Sequence, residues 1–125
     1  MEEITTDATE STLPISEAIR HGDTIYVSGQ GPLDPVTREV VGETAGDQTA
    51  KTLANIDRVL DAADSSLANV VKATVYLTDM SDYEEVNDVY GEYMGRPFPA
   101  RTAVEVADLP VDIAVEIEVI AAVSG

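Results

Sequence analysis

Residues 101–119 (Arg-Thr-Ala-Val-Glu-Val-Ala-Asp-Leu-Pro-Val-Asp-Ile-Ala-Val-Glu-Ile-Glu-Val) alternate apolar and polar side chains almost throughout. A period of two is that of a β-strand, and the Leu-Pro-Val-Asp break over residues 109–112 predicts two antiparallel strands folded about it. In that register Glu105 lies opposite Glu116, Arg101 falls near Ile120, and Arg101 and Glu116 stand roughly 13 Å apart along the ladder. Upstream, Glu17–Arg20 and Thr24–Ser28 flank a His-Gly-Asp turn and predict a β-hairpin. Two prolines and two glycines within residues 29–35 predict a loop. Its Gly-Gln-Gly is a fragment of a dinucleotide fingerprint, without the third glycine or a helix directly behind it, and that reading is discarded.

The period changes at Thr44. From there to Asp64, Leu53, Ile56, Val59, Leu60 and Ala63 mark one helical face, with Asp57, Arg58, Asp61 and Asp64 outside it. Val70–Asp79 is rich in β-branched residues and predicts a strand. Ser81 and Glu84 have the spacing of a capping box that opens a second helix running to about Met94. Tyr83, Val86, Val89, Tyr90 and Tyr93 are assigned to the buried face of that helix. The order is β-β-α-β-α-β-β, an α+β chain with two helices on one face of a mixed sheet. Residues 1–12 read as a polar lead-in and residues 13–125 as one domain. The other sheet face has no segment left to cover it, so self-association is expected.

Composition narrows the chemistry. Apolar residues make up 44 % of the chain, which suits a globular fold. Cysteine is absent, so disulfides, thiolate catalysis and sulfur-ligated metals are excluded together. The single histidine, His21, sits in the predicted hairpin turn and is read as an exposed turn residue. The chain begins Met-Glu-Glu-Ile-Thr-Thr-Asp, unlike a basic and apolar signal peptide, and no apolar run reaches membrane-spanning length; a cytoplasmic protein is expected.

Charge changes the picture more. Asp and Glu number 24 against 7 Lys and Arg, a formal charge of −17. Such a surface repels itself in dilute buffer and is screened at high salt, as in proteins of salt-accumulating halophiles. It also opposes nucleic-acid binding, which needs clustered cations. Against that background Arg101 stands out. A guanidinium at a strand start, behind the rigid Arg96–Pro99 loop, is suited to a two-bond grip on a carboxylate, or else it reaches out to solvent or bridges a neighbouring subunit. A partly desolvated carboxylate nearby can then handle a water proton; the plain reading of Glu116 and Glu118 is as surface residues, and it is the better one for Glu118.

The chain resembles the RidA/YjgF/YER/UK family of reactive-intermediate deaminases. The resemblance rests on Val27-Ser-Gly-Gln30, Pro32-Leu-Asp-Pro35, Val70–Asp79, Val86-Asn-Asp-Val-Tyr90, Phe98-Pro-Ala-Arg101, Val104–Pro110 and Val115-Glu-Ile-Glu118, in family order over about residues 14–123. It implies a chorismate-mutase-like fold and a homotrimer with sites between subunits. It also implies hydrolysis of 2-enamine and 2-imine acids such as 2-aminoacrylate, products of pyridoxal-phosphate enzymes, to 2-keto acids and ammonia, with no cofactor. By the same resemblance Arg101 holds the substrate carboxylate and Glu116 activates water. Ser28, Gly29 and Asn87 line the cleft, and Ala103 contributes a backbone carbonyl. The chain departs from the family at Ile15, where members carry a tyrosine that reaches the substrate; a more apolar imino acid or weak turnover follows from that. The competing reading is a non-catalytic trimer that binds small carboxylates. A ribonuclease reading is opposed by the charge, and chorismate-mutase activity would rest on fold alone.

Overall fold

The structure, a computed structural model, describes residues 1–124. Six strands form one sheet: β1 (Glu2–Ile4), β2 (Ala18–His21), β3 (Thr24–Gln30), β4 (Val70–Leu77), β5 (Ala100–Glu105) and β6 (Val115–Ala122), in the order β1-β2-β3-β6-β4-β5. Helices α1 (Ala45–Ala62) and α2 (Tyr83–Met94) cover one face. This is the α+β architecture that the residue pattern predicts.

Several expectations are corrected. The last two strands are not a hairpin, because β4 lies between them, parallel to β5 and antiparallel to β6. Alternation identifies a strand but not its neighbour, and α2 supplies the long crossover that a parallel β4–β5 pair requires. Arg101 therefore sits beside Ala73 and Glu116 beside Tyr76; Glu105 is not opposite Glu116, and it is Lys72 that pairs with Ile120. The N-terminal stretch is also more than a lead-in. Glu2–Ile4 pairs with β2, and the Thr6 amide and hydroxyl both donate to the Glu17 carboxylate, at 2.8 and 2.7 Å. Finally, Ser81 and Glu84 form no capping box; the Asp79 carboxylate accepts from the Ser81 amide, and a 3-10 turn at Met80–Asp82 leads into α2.

Local chemistry accounts for the helices. Thr44 has extended backbone, and its hydroxyl accepts from the Asp47 amide at 3.0 Å, satisfying a free donor at the start of α1. The face predicted for α1 is the one it buries: Leu53, Ile56, Val59 and Leu60 are fully enclosed against Val75, Leu77, Val115 and Ile117. Truncating one such side chain costs about 2–5 kcal/mol. Gly95, at φ 66°, ends α2 where a side chain would be strained. Of the tyrosines assigned to the α2 core, only Tyr90 is buried; Tyr83 is 40 % and Tyr93 42 % exposed.

The opposite sheet face carries Tyr26 on β3, Thr74 and Tyr76 on β4, and Glu116, Glu118 and Ile120 on β6. No element of the described chain covers it. The two residues expected to work together thus point to different sides: Arg101 shares the helix-covered face with Ala73, and Glu116 shares the open face with Tyr76.

Candidate functional site

The open-face half of the site forms where β3 and β6 meet. Their ladder shifts register between Val27 and Gln30, a bulge that interrupts pairing at Ser28 and Gly29. The Glu116 side chain lies over this bulge. A Cβ at Gly29 would stand 2.8 Å from Glu116 Oε2 and 2.9 Å from Cδ, so the absence of a side chain there makes room for the carboxylate. Ser28 is held by two bonds, its hydroxyl donating to the Ser16 carbonyl at 2.7 Å and its amide to the Glu17 carbonyl at 3.0 Å. These bonds dock the segment carrying Ile15, which is 60 % exposed and borders a cavity with Ser16, Ser28 and Gly29.

Burial pushes the Glu116 carboxyl above its ordinary pKa, and the neighbouring Glu118 adds in the same direction. Glu118 is not a free surface group: it accepts the Tyr76 hydroxyl at 2.6 Å, and that bond raises the Tyr76 phenol. A carboxylate above its usual range is a better proton acceptor at neutral pH than an ordinary one.

The helix-face half is built by α2 against the edge strand β5. Tyr83, Asn87 and Tyr90, spaced four and then three residues apart, fall on one stripe of α2. Arg101 Nη2 donates to Asn87 Oδ1 at 2.7 Å and to the Tyr83 hydroxyl at 3.1 Å. The guanidinium also stands over the Tyr90 ring, 4.8 Å from its centroid, and 5.6 Å from that of Tyr83. Bonds from the Asn87 side chain and from Arg101 draw the Tyr83 phenol below its usual pKa. Ala103 lies on the same side of β5, beside Val75 and against the core. As the outer strand, β5 has no strand beyond it to pair its outward backbone groups.

Arg101 with Asn87, and Ser28 with Gly29 and Glu116, are therefore brought together as two groups, while the protomer keeps the groups apart. Tyr83 and Tyr90 are additions that residue spacing did not identify, since an aromatic on a core face and an aromatic under a guanidinium have the same helical period. Among the described residues, no group of three His, Cys, Asp or Glu side chains converges as metal ligands would. No helix is long and apolar enough to cross a membrane.

Comparison with known proteins agrees with this fold. The family model described as Endoribonuclease L-PSP matches residues 5–123. A RutC family protein of Pyrococcus horikoshii is 50 % identical over 108 residues, 86 % of each chain. The 2-iminobutanoate/2-iminopropanoate deaminase of Bos taurus is 45 % identical over 108 residues, 86 % of this chain and 79 % of that one. The crystal structure of Escherichia coli TdcF with bound serine superposes with a TM-score of 0.89 at 33 % identity, over 99 % of this chain and 100 % of that one. With the family model spanning nearly the whole chain and the fold shared end to end, the chain belongs to the RidA/YjgF family, matched under the description Endoribonuclease L-PSP.

Proposed function

We propose that this protein hydrolyses 2-imino and 2-enamino acids to 2-keto acids and ammonia, in clefts where the Arg101 half of one copy faces the Glu116 half of the next in a homotrimer. The observation that carries this reading is the division of the site. A guanidinium fixed by Asn87, Tyr83 and Tyr90 lies on one face, and a proton-accepting carboxylate held over a glycine lies on the other. Neither half suffices alone, and an open sheet face is available for a second copy.

The chemistry needs little beyond orientation. Arg101 binds the substrate carboxylate through paired N–H donors. Glu116 takes a proton from water as its oxygen adds to the imine carbon. The resulting carbinolamine receives that proton on nitrogen; as the C–N bond breaks and ammonia leaves, the hydroxyl gives its proton back to Glu116 and becomes the keto group. The relative named as a deaminase supports the reaction class, and the serine-bound relative supports a small amino-acid-like ligand. A cytoplasmic location, where pyridoxal-phosphate enzymes release such imines, goes with this reading. The nuclease description of the family model finds no support in a chain of charge −17.

The test couples an amino-acid oxidase to the purified protein in molar salt and follows imine decay. Decay clearly faster than in buffer is expected; decay equal to buffer would defeat the enzyme reading. One observation favours the alternative of a carboxylate-binding protein without turnover: Ile15, exposed at the edge of the cavity, has no hydroxyl to offer. A gain of activity in Ile15→Tyr would trace weak turnover to that position.

A further inference from the structure

Helix α1 carries a polar stripe where a sheet-facing helix should be apolar. Gln48 is 9 % and Asn55 5 % exposed, with Thr49 and Thr52 fully buried between them. The two threonines satisfy themselves, their hydroxyls donating to the carbonyls of Ala45 and Gln48 one turn back. Gln48 and Asn55 instead reach outward, two turns apart on the same helix.

Each holds a backbone segment that leads to the Glu116 half-site. Asn55 Nδ2 donates to the carbonyls of Gly31 and Leu33, at 2.9 and 2.8 Å, just beyond Gly29 and Gln30 at the end of β3. Gln48 Oε1 accepts from the Ala114 amide at 2.8 Å, immediately before β6 brings in Glu116, and its Nε2 donates to the Gly42 carbonyl at 3.2 Å. The stretch between β3 and α1 has only the isolated Leu33–Val40 bridge as strand pairing. Buried amides with this many partners are costly to replace, and an apolar side chain would leave carbonyls unpaired. Meanwhile the Glu116 carboxylate occupies the space that a side chain at residue 29 would take, so its place depends on the path of the backbone at Gly29. A displacement of about 1 Å in such an arrangement can cost roughly a hundredfold in rate.

We propose that Asn55 and Gln48 are positioning residues that fix the β3 exit and the β6 entry together, and so set the Glu116 carboxylate for turnover without contributing to the carboxylate grip. The proposal rests on the deaminase reading. It predicts an asymmetry, because Arg101 is held by α2 and β5 and owes nothing to either amide.

The experiment compares wild type with Asn55→Asp, which keeps the shape but turns a double donor toward carbonyls into an acceptor. It adds Gln48→Met, which removes the bonds without introducing a charge. Folding is checked by circular dichroism, and kcat and KM for imine hydrolysis are measured in molar salt. A ten- to hundredfold fall in kcat with KM within twofold of wild type, in whichever variant folds, is the expected result. A folded variant with wild-type kcat, or one whose loss lies in KM, would overturn the proposal. Lowered melting temperature with unchanged kcat per folded protein would mark both as merely structural and overturn it equally. Should wild type itself fail to hydrolyse imines, the deaminase reading falls separately. The Gly29 amide resonance, compared by NMR between wild type and Gln48→Met, then decides: a clear shift supports the positioning role and an unmoved resonance overturns it.

Discussion

Glu116 is placed where its ionised form is least comfortable. Burial and the like charge of Glu118 raise its folded pKa above the unfolded value. Its contribution to stability is therefore full below the unfolded pKa and lost as pH rises through the folded one. At neutral pH the ionised carboxylate is a burden on the fold. Glu116→Gln should then melt no lower than wild type at pH 7, while kcat falls by about 10²–10⁴-fold, the usual worth of a general base. Binding of 2-oxobutanoate, followed by calorimetry, should survive. A Gln variant that melts clearly below wild type would contradict the burial argument. On the other half-site the expectation is the reverse. Arg101→Ala should abolish imine hydrolysis and 2-oxobutanoate binding with fold and assembly intact. Arg101→Lys should rescue little, since an ammonium cannot reproduce a planar two-bond contact or its seat over Tyr90. If Arg101 were only a brace between subunits, Arg101→Ala would instead weaken assembly and spare activity per folded trimer.

At the scale of elements, what the sequence makes legible is what repeats with a period. The alternation in β6 and the Leu53–Ala63 face of α1 are read correctly because each buries the side its period marks, and β4 is read from its β-branched residues. Partner choice has no period: nothing in residues 101–119 reveals that β4 slips between the two strands, so the cross-strand geometry of Arg101 and Glu116 could not be obtained. The site divides along the same line. Arg101 is conspicuous as a rare cation after a proline loop, whereas Tyr90 is legible as core but not as the ring beneath Arg101, and Gln48 and Asn55 look like surface until tertiary contacts define them. Thr44 is legible as the place where the helical period begins, and its capping of α1 appears only in the structure. Ahead of α2 the Asp79 carboxylate caps the 3-10 turn at Met80–Asp82, and α2 itself starts without the side-chain cap that Ser81 and Glu84 were expected to provide. Thr44→Ala should thus cost roughly 1 kcal/mol, a fall of a few degrees in Tm, with kcat unchanged. A Tm equal to wild type would mean that the Thr44–Asp47 bond contributes nothing to α1.

For the whole molecule, charge and assembly are one problem. Each copy carries −17, and the proposed homotrimer would gather that charge from three copies around one axis. What association has to offer in return is the open face, where Tyr26 and Ile120 are apolar but Glu116 and Glu118 are not. Repulsion between like-charged copies reaches about 10 Å through 0.1 M salt and only about 3 Å through 1 M salt. Raising salt should therefore strengthen association and raise Tm together. Activity should follow association, because Arg101 and Glu116 face opposite sides of the sheet within one copy. Sedimentation equilibrium, thermal melting and imine decay, measured on the same samples from dilute buffer to molar salt, check all three. The expected outcome is a trimer in molar salt, drifting toward smaller species in dilute buffer, with Tm and turnover falling alongside. A Tm flat across that range would remove charge repulsion as a governing force. A monomer with full turnover in molar salt would show that one copy completes the site alone, and the division of the site between two sheet faces would lose its meaning.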